Sequence, residues 1–182
     1  MFRRRAQRIL RRIGRADVSS MVQQANQLMA SENYTGAADA FKELAQDAEE
    51  RFPHRAPFLF MEAGRAAILS GQTKIGVAHL RRGLTLFASQ GRIQRMQAFG
   101  QRAMDALKTQ NLHTEAEEIA SILTGNFQKE TPPDRPTVPR RPMLPTHCPS
   151  CGAAIRPYEI EWLDEVTAEC DYCGNPLRED SG

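Results

Sequence analysis

The chain has 182 residues, 41% of them hydrophobic and 25% charged, with a formal net charge of +2. That length allows one modest core and a small satellite, and no apolar run reaches the roughly 20 residues of a membrane-crossing helix. No hydrophobic signal segment opens the chain, so its four cysteines point to a reducing, cytoplasmic compartment.

The mild net charge conceals a basic head and an acidic tail. Residues 1–15 hold Arg3, Arg4, Arg5, Arg8, Arg11, Arg12 and Arg15 and no acid. Phe2, Ala6, Ile9, Leu10 and Ile13 recur at helical spacing, so this arm reads as a short basic amphipathic helix. Three functional roles compete for it: attachment to an anionic membrane surface, contact with RNA or another polyanion, and mitochondrial targeting. The plain structural alternative is an extra helix that packs its apolar stripe and leaves the arginines in water.

Residues 16–125 balance eleven Lys/Arg against twelve Asp/Glu and are rich in alanine, leucine and methionine. Apolar and small residues return every three or four positions, as in Met21, Val22, Ala25, Leu28 and Met29. The spacing predicts helices over 17–31, 35–51, 56–70, 73–89, 92–109 and 113–124, broken at Gly71, Gly91 and near Asn111. The breaks pair the helices into three hairpins that align as copies. Ala37, Gly76 and Ala116 coincide, then Phe41, Leu80 and Ala120, then Leu44, Gly83 and Leu123. Upstream, Ala25 aligns with Gly64, and Leu28, Ala67 and Leu107 follow three residues later. A period of 39 to 40 residues belongs to helical solenoids, in which small residues let paired helices approach closely.

The pattern resembles tetratricopeptide repeats, most clearly at Asn33 through Phe41 and at Gly64 through Gly83. It departs from that family in its longer period, in Met104 at a small-residue position, and in the irregular placement of helix-ending prolines. The resemblance implies a groove, lined by the first helix of each hairpin, that binds protein segments. Carried over by position, the groove residues are Asn26, Met29, Met61, Arg65, Ile68, Gln101, Asp105 and Lys108. Arg65 and Lys108 would meet a ligand carboxylate. Against this stands the simpler reading of a solvated helix face.

Residues 126–145 carry six prolines, from Pro132 to Pro145. That density favours extended chain and forbids helix, so the segment reads as a semi-rigid linker. A proline-rich ligand for a partner domain is its sharper alternative.

The segment 146–182 contains all four cysteines, as Cys148-Pro-Ser-Cys151-Gly152 and Cys170-Asp-Tyr-Cys173-Gly174. Thiolates three residues apart on a turn can face one metal, and the eighteen-residue spacer is long enough for a hairpin that returns the second pair. The ligand set fits one structural Zn²⁺ held by Cys148, Cys151, Cys170 and Cys173, with no open position for substrate. Disulfides and a redox CxxC are the competing readings. The glycine after each pair suits a positive-φ turn. Tyr158 through Trp162 alternates as a half-buried strand, 163–165 can turn, and 166–169 can return, with Trp162 covering the small core. The segment resembles a zinc ribbon over about 146–178. Its eight acids against Arg156 and Arg178 make it a poor match for phosphates.

Catalysis finds little support, because His54, His79, His113 and His147 are scattered and no phosphate-binding loop is present. The expectation is a mainly α chain: a three-hairpin, tetratricopeptide-like repeat plus a small zinc-ribbon β-hairpin module. Its expected function is a non-enzymatic adaptor for a protein partner, with no small-molecule substrate. The alternative is a nucleic-acid-associated protein using the arm and the ribbon.

Overall fold

A computed structural model describes residues 18–125, 142–157 and 160–178. The arginine arm 1–15 and most of the proline-rich linker lie outside these residues, as do Tyr158 and Glu159 of the expected strand.

Six helices and three short strands make up the described chain. Helix α1 covers 18–30. It is followed by α2 (Tyr34–Arg51), α3 (Ala56–Leu69), α4 (Thr73–Ser89), α5 (Ile93–Thr109) and α6 (His113–Gly125). Strands β1 (Glu161–Trp162), β2 (Ala168–Glu169) and β3 (Pro176–Leu177) form one antiparallel sheet in the order β1-β2-β3.

The helix ends follow from backbone chemistry. Gly71, Gly91 and Asn111 take positive φ of 82°, 69° and 60°, a conformation that glycine and asparagine tolerate best. At each, the next residue's N–H reaches the carbonyl five positions back, as in Gln72 to Ala67, Arg92 to Phe87 and Leu112 to Leu107. The same αL cap therefore closes α3, α4 and α5. Glu32 adopts φ of 59° after α1, so positive-φ turns at 32, 71 and 111 stand 39 and 40 residues apart. The Asn33 side chain caps α2 by accepting from the Gly36 N–H at 3.1 Å.

The described residues fall into two compact units. One holds residues 32–125. Its central helix is α3, packed against both α2 and α4, with eleven of fourteen residues buried. A helix apolar on every side needs such a position. Phe58 meets Phe87 edge-on at 4.9 Å and Phe99 at 5.3 Å. Close helix approach rests on glycines. A Cβ on Gly76 would fall 2.5 Å from Ile68 Cγ1 and 2.8 Å from the Gly64 carbonyl. One on Gly83 would fall 2.9 Å from Met61 Sδ and from the Pro57 carbonyl. Between α5 and α6 the small residue is Gly100, one turn before Met104, and a Cβ there would lie 2.5 Å from Leu123. Large and small partners thus exchange sides, since Leu123 aligns with Gly83.

The other unit joins α1 to the cysteine-bearing segment. The boundary expected at residue 16 falls after residue 31 instead. The physical reason is a set of hydrogen bonds, described below, that tie α1 to the cysteine turns. Within this unit, Trp162 pairs with Ala168 and Ala168 with Leu177, forming one cross-strand row. Ala168 and Leu177 are buried and Trp162 is half-buried, so the tryptophan closes one end of the row. The β1–β2 turn is fixed by the Asp164 carboxylate, whose Oδ1 accepts from the Val166 and Thr167 amides at 2.8 and 2.7 Å. Strand β3 was not expected; two residues after a cysteine turn carry no legible period.

Candidate metal centre

Each cysteine pair sits on the same turn. The Cys148 N–H donates to the Ala153 carbonyl at 2.8 Å, and the Gly152 N–H donates to the Cys148 carbonyl at 2.8 Å. In the second pair, Cys170 N–H donates to the Asn175 carbonyl at 2.9 Å and Gly174 N–H to the Cys170 carbonyl at 2.8 Å. Gly152 and Gly174 have φ of 74° and 73°, as their position after each pair implied. Backbone amides face sulfur in both turns, that of Ser150 toward Cys148 and that of Asn175 toward Cys173.

All four sulfurs are buried and lie within 4.8 Å of one another. Cys148 Sγ is 3.7 Å from Cys173 Sγ, and Cys151 Sγ is 3.8 Å from Cys170 Sγ. A disulfide needs about 2.05 Å, so no bridge joins them. A tetrahedron with metal–sulfur bonds of about 2.3 Å has edges of roughly 3.8 Å. The two cross-pair separations match that edge, and the four thiols fit a single metal ion. The mutual contacts split the thiols electrostatically: S–H donation from Cys151, Cys170 and Cys173 draws the Cys148 thiol far below its usual range, with the Ser150 amide adding to this. Cys151 and Cys170 are pushed up, each first by its contact with Cys148, and burial adds to both. Among the described residues, no other group of three or more His, Cys, Asp or Glu converges in this way.

Helix α1 lies on these turns. Ser19 Oγ donates to the Ser150 carbonyl at 2.9 Å, and Asn26 Nδ2 donates to the Cys151 carbonyl at 2.9 Å. Asn175 Nδ2 reaches Ser19 Oγ at 3.3 Å. Val22 and Ala25, on the same stripe, are fully buried. Met21, expected among the apolar positions, is instead 47% exposed.

The residues assigned to a groove fall in both units. Asn26 and the half-buried Met29 belong to α1 in the cysteine-bearing unit. Met61 and Ile68 are buried, in contact range of Gly83 and Gly76 of α4, so their side chains serve helix packing. Arg65 is exposed and paired with Glu62 one turn earlier, at 2.7 Å. Gln101 donates to Asp105 at 3.0 Å, and Lys108 is exposed in the last turn of α5. The arm arginines Arg3, Arg4, Arg5, Arg8, Arg11, Arg12 and Arg15 lie outside the described residues. Glu49 pairs with Arg82 and Glu118 with Arg81.

Sequence reasoning missed an arginine–phenylalanine cluster in the helical unit. Arg92 and Arg95 stand over Phe58 at 4.9 and 5.2 Å, and Arg102 over Phe99 at 4.2 Å. Arg55, only 2% exposed, lies over Phe52 at 4.9 Å. Such contacts hold cationic side chains against aromatic faces. The seven-residue spacing of Arg95 and Arg102 was visible, but the rings they cover, Phe58 and Phe99, come from α3 and α5. No helix among the described residues is long and apolar enough to cross a membrane. Neither a protein-family model, nor a curated protein, nor a solved structure matches this chain.

Proposed function

We propose that this protein is a non-enzymatic adaptor, in which a structural zinc ion organises the cysteine-bearing unit and a tetratricopeptide-like helical array engages a protein partner. The observation that carries the zinc reading is the closed set of four buried thiols with cross-pair separations of 3.7 and 3.8 Å. Cys148, Cys151, Cys170 and Cys173 would fill all four positions, leaving none for water or substrate. Bound there, zinc supplies folding energy and no reaction.

The repeat reading draws support from the recurrence of positive-φ turns at 32, 71 and 111 and from glycine-mediated approach of α3 to α4. On this reading the partner-facing residues of the helical unit are the exposed Arg65, Gln101, Asp105 and Lys108. The buried Met61 and Ile68 act as their support.

The test has two parts. Metal analysis of the purified full chain is expected to give one zinc per chain, retained through dialysis. Affinity purification from the native host after nuclease treatment is expected to recover a protein partner that is lost on combined Arg65→Glu and Lys108→Glu replacement. Partners that disappear with nuclease treatment would favour the nucleic-acid-associated alternative, acting through the arm.

A further inference from the structure

We infer that α1 is a working part of the metal centre: Ser19 and Asn26 position the cysteine turns, so that metal retention depends on a helix lying far upstream in the sequence. The inference rests on the metal reading above and extends it to residues outside the cysteine-bearing segment.

The argument starts from the turn itself. Inside the first pair, the Cys148 and Gly152 amides are spent on the Ala153 and Cys148 carbonyls, and the Ser150 amide faces Cys148 Sγ. The Ser150 and Cys151 carbonyls receive their donors from α1, at 2.9 Å each. Cys151 is buried and Ser150 half-buried, and carbonyls withdrawn from water need such partners. Ser19 and Asn26 are seven residues apart, two helical turns, so both face the same way.

Ser19 does more than cap one turn. Its hydroxyl donates to Ser150 in the first turn and accepts from the Asn175 amide of the second. Asn175 is itself wired to the second pair: its carbonyl accepts from the Cys170 N–H, and its own N–H faces Cys173 Sγ. One buried hydroxyl, 7% exposed, therefore links the two halves of the ligand set. The relative placement of those halves fixes the 3.7 and 3.8 Å separations that a metal requires. Groups one bond removed from the ligands commonly change metal affinity by about 10- to 100-fold. Ser19 and Asn26 are positioning residues of this kind, reached from 131 and 125 residues away.

The experiment uses the full chain loaded with zinc, with transfer of the metal to a chromophoric chelator followed in time. A Ser19→Ala/Asn26→Ala double variant is expected to release zinc about 10- to 100-fold faster than wild type. Ser19→Thr, which keeps the hydroxyl, is expected to release at nearly the wild-type rate. Asn26→Asp keeps the volume but sets a carboxylate against the Cys151 carbonyl, and should release faster. Amide exchange supplies the reciprocal reading: chelation should expose the backbone of 18–30 while α3 and α4 stay protected. If the double variant does not fold, the single variants Ser19→Thr and Asn26→Asp carry the same comparison. Release within about twofold of wild type in Asn26→Asp, or unchanged exchange of 18–30 on chelation, overturns the inference and leaves the metal reading intact. A wild-type chain that holds no zinc overturns both.

Discussion

The two units solve the problem of burial in different ways. In the helical unit, Phe58, Phe87, Leu59, Leu84 and Leu107 are essentially removed from water, and glycines let α3 and α4 come close enough to bury them. The cysteine-bearing unit has strands of two residues each and a core of small pieces such as Ala153, Ala168, Ile155 and Leu177. So little apolar surface cannot offset chain entropy unaided. Four buried thiols positioned to hold a metal ion, with a helix borrowed from the opposite end of the chain, would supply what the side chains lack. The contrast teaches that one sequence can rely on helix packing in one unit and on a set of metal-ready thiols in the other, where the apolar core is small.

Metal removal offers the sharpest way to break this comparison. Trp162 is the chain's one tryptophan and lies in the cysteine-bearing unit, whereas most helical residues lie in the other. Chelation, or Cys170→Ser, should therefore change tryptophan fluorescence sharply while far-ultraviolet circular dichroism keeps most of its helical signal. The stability at stake is on the order of 10 kcal/mol, the scale of structural zinc in small domains. Parallel loss of both signals would mean that the two units do not fold independently.

The reverse perturbation attacks packing alone. Phe58→Ala removes the ring that Phe87 and Phe99 contact and should destabilise the helical unit by about 3–5 kcal/mol. Zinc content should stay at the wild-type value. Gly76→Ala tests a smaller effect at the α3–α4 approach. An alanine has better helix propensity by about 1 kcal/mol, yet its methyl would meet Ile68 and the Gly64 backbone carbonyl. Overpacking of this kind costs about 1–3 kcal/mol, and backbone cannot move aside as a side-chain tip can. The net expectation is a destabilisation of up to about 2 kcal/mol in denaturant titration. A stabilised variant would show that the helices have room to part.

Helix boundaries were legible before any coordinates because glycine and asparagine do what no other residue does cheaply. Gly71, Gly91 and Asn111 end helices through positive φ, and each observed boundary falls within a residue or so of its expected place. The four-cysteine cluster was legible for a similar reason, since a CxxC-Gly turn is defined within five residues. What escaped was long-range. Ser19 looks like an ordinary polar position and Asn26 reads by position as a groove residue, and nothing local says that their partners are the carbonyls of Ser150 and Cys151. The same holds for Gly100, which replaces Met104 as the small contact of α5 because Leu123 fills the opposing side. Helical periodicity reports which face is buried but not what buries it.

The mildest test concerns pH and again separates the units. His79 in α4 stacks on Phe60 with ring centroids 6.0 Å apart, and burial first, then the Lys42 charge, lowers its pKa below the ordinary value of 6.5. The fold therefore favours neutral imidazole. Above about pH 6.5 neither the folded nor the unfolded chain carries this proton, and the contribution is fully present. As pH falls below that value the unfolded chain takes up the proton first, so stability declines until the folded histidine also titrates. Thermal unfolding of the helical unit, followed by circular dichroism between pH 7.5 and 5.5, should show a small downward slope that His79→Gln flattens. Because metal thiolates also compete with protons, the measurement is read as wild type minus variant at each pH. A slope equal in both chains would assign the acid sensitivity to groups other than His79 and would remove this burial as the cause.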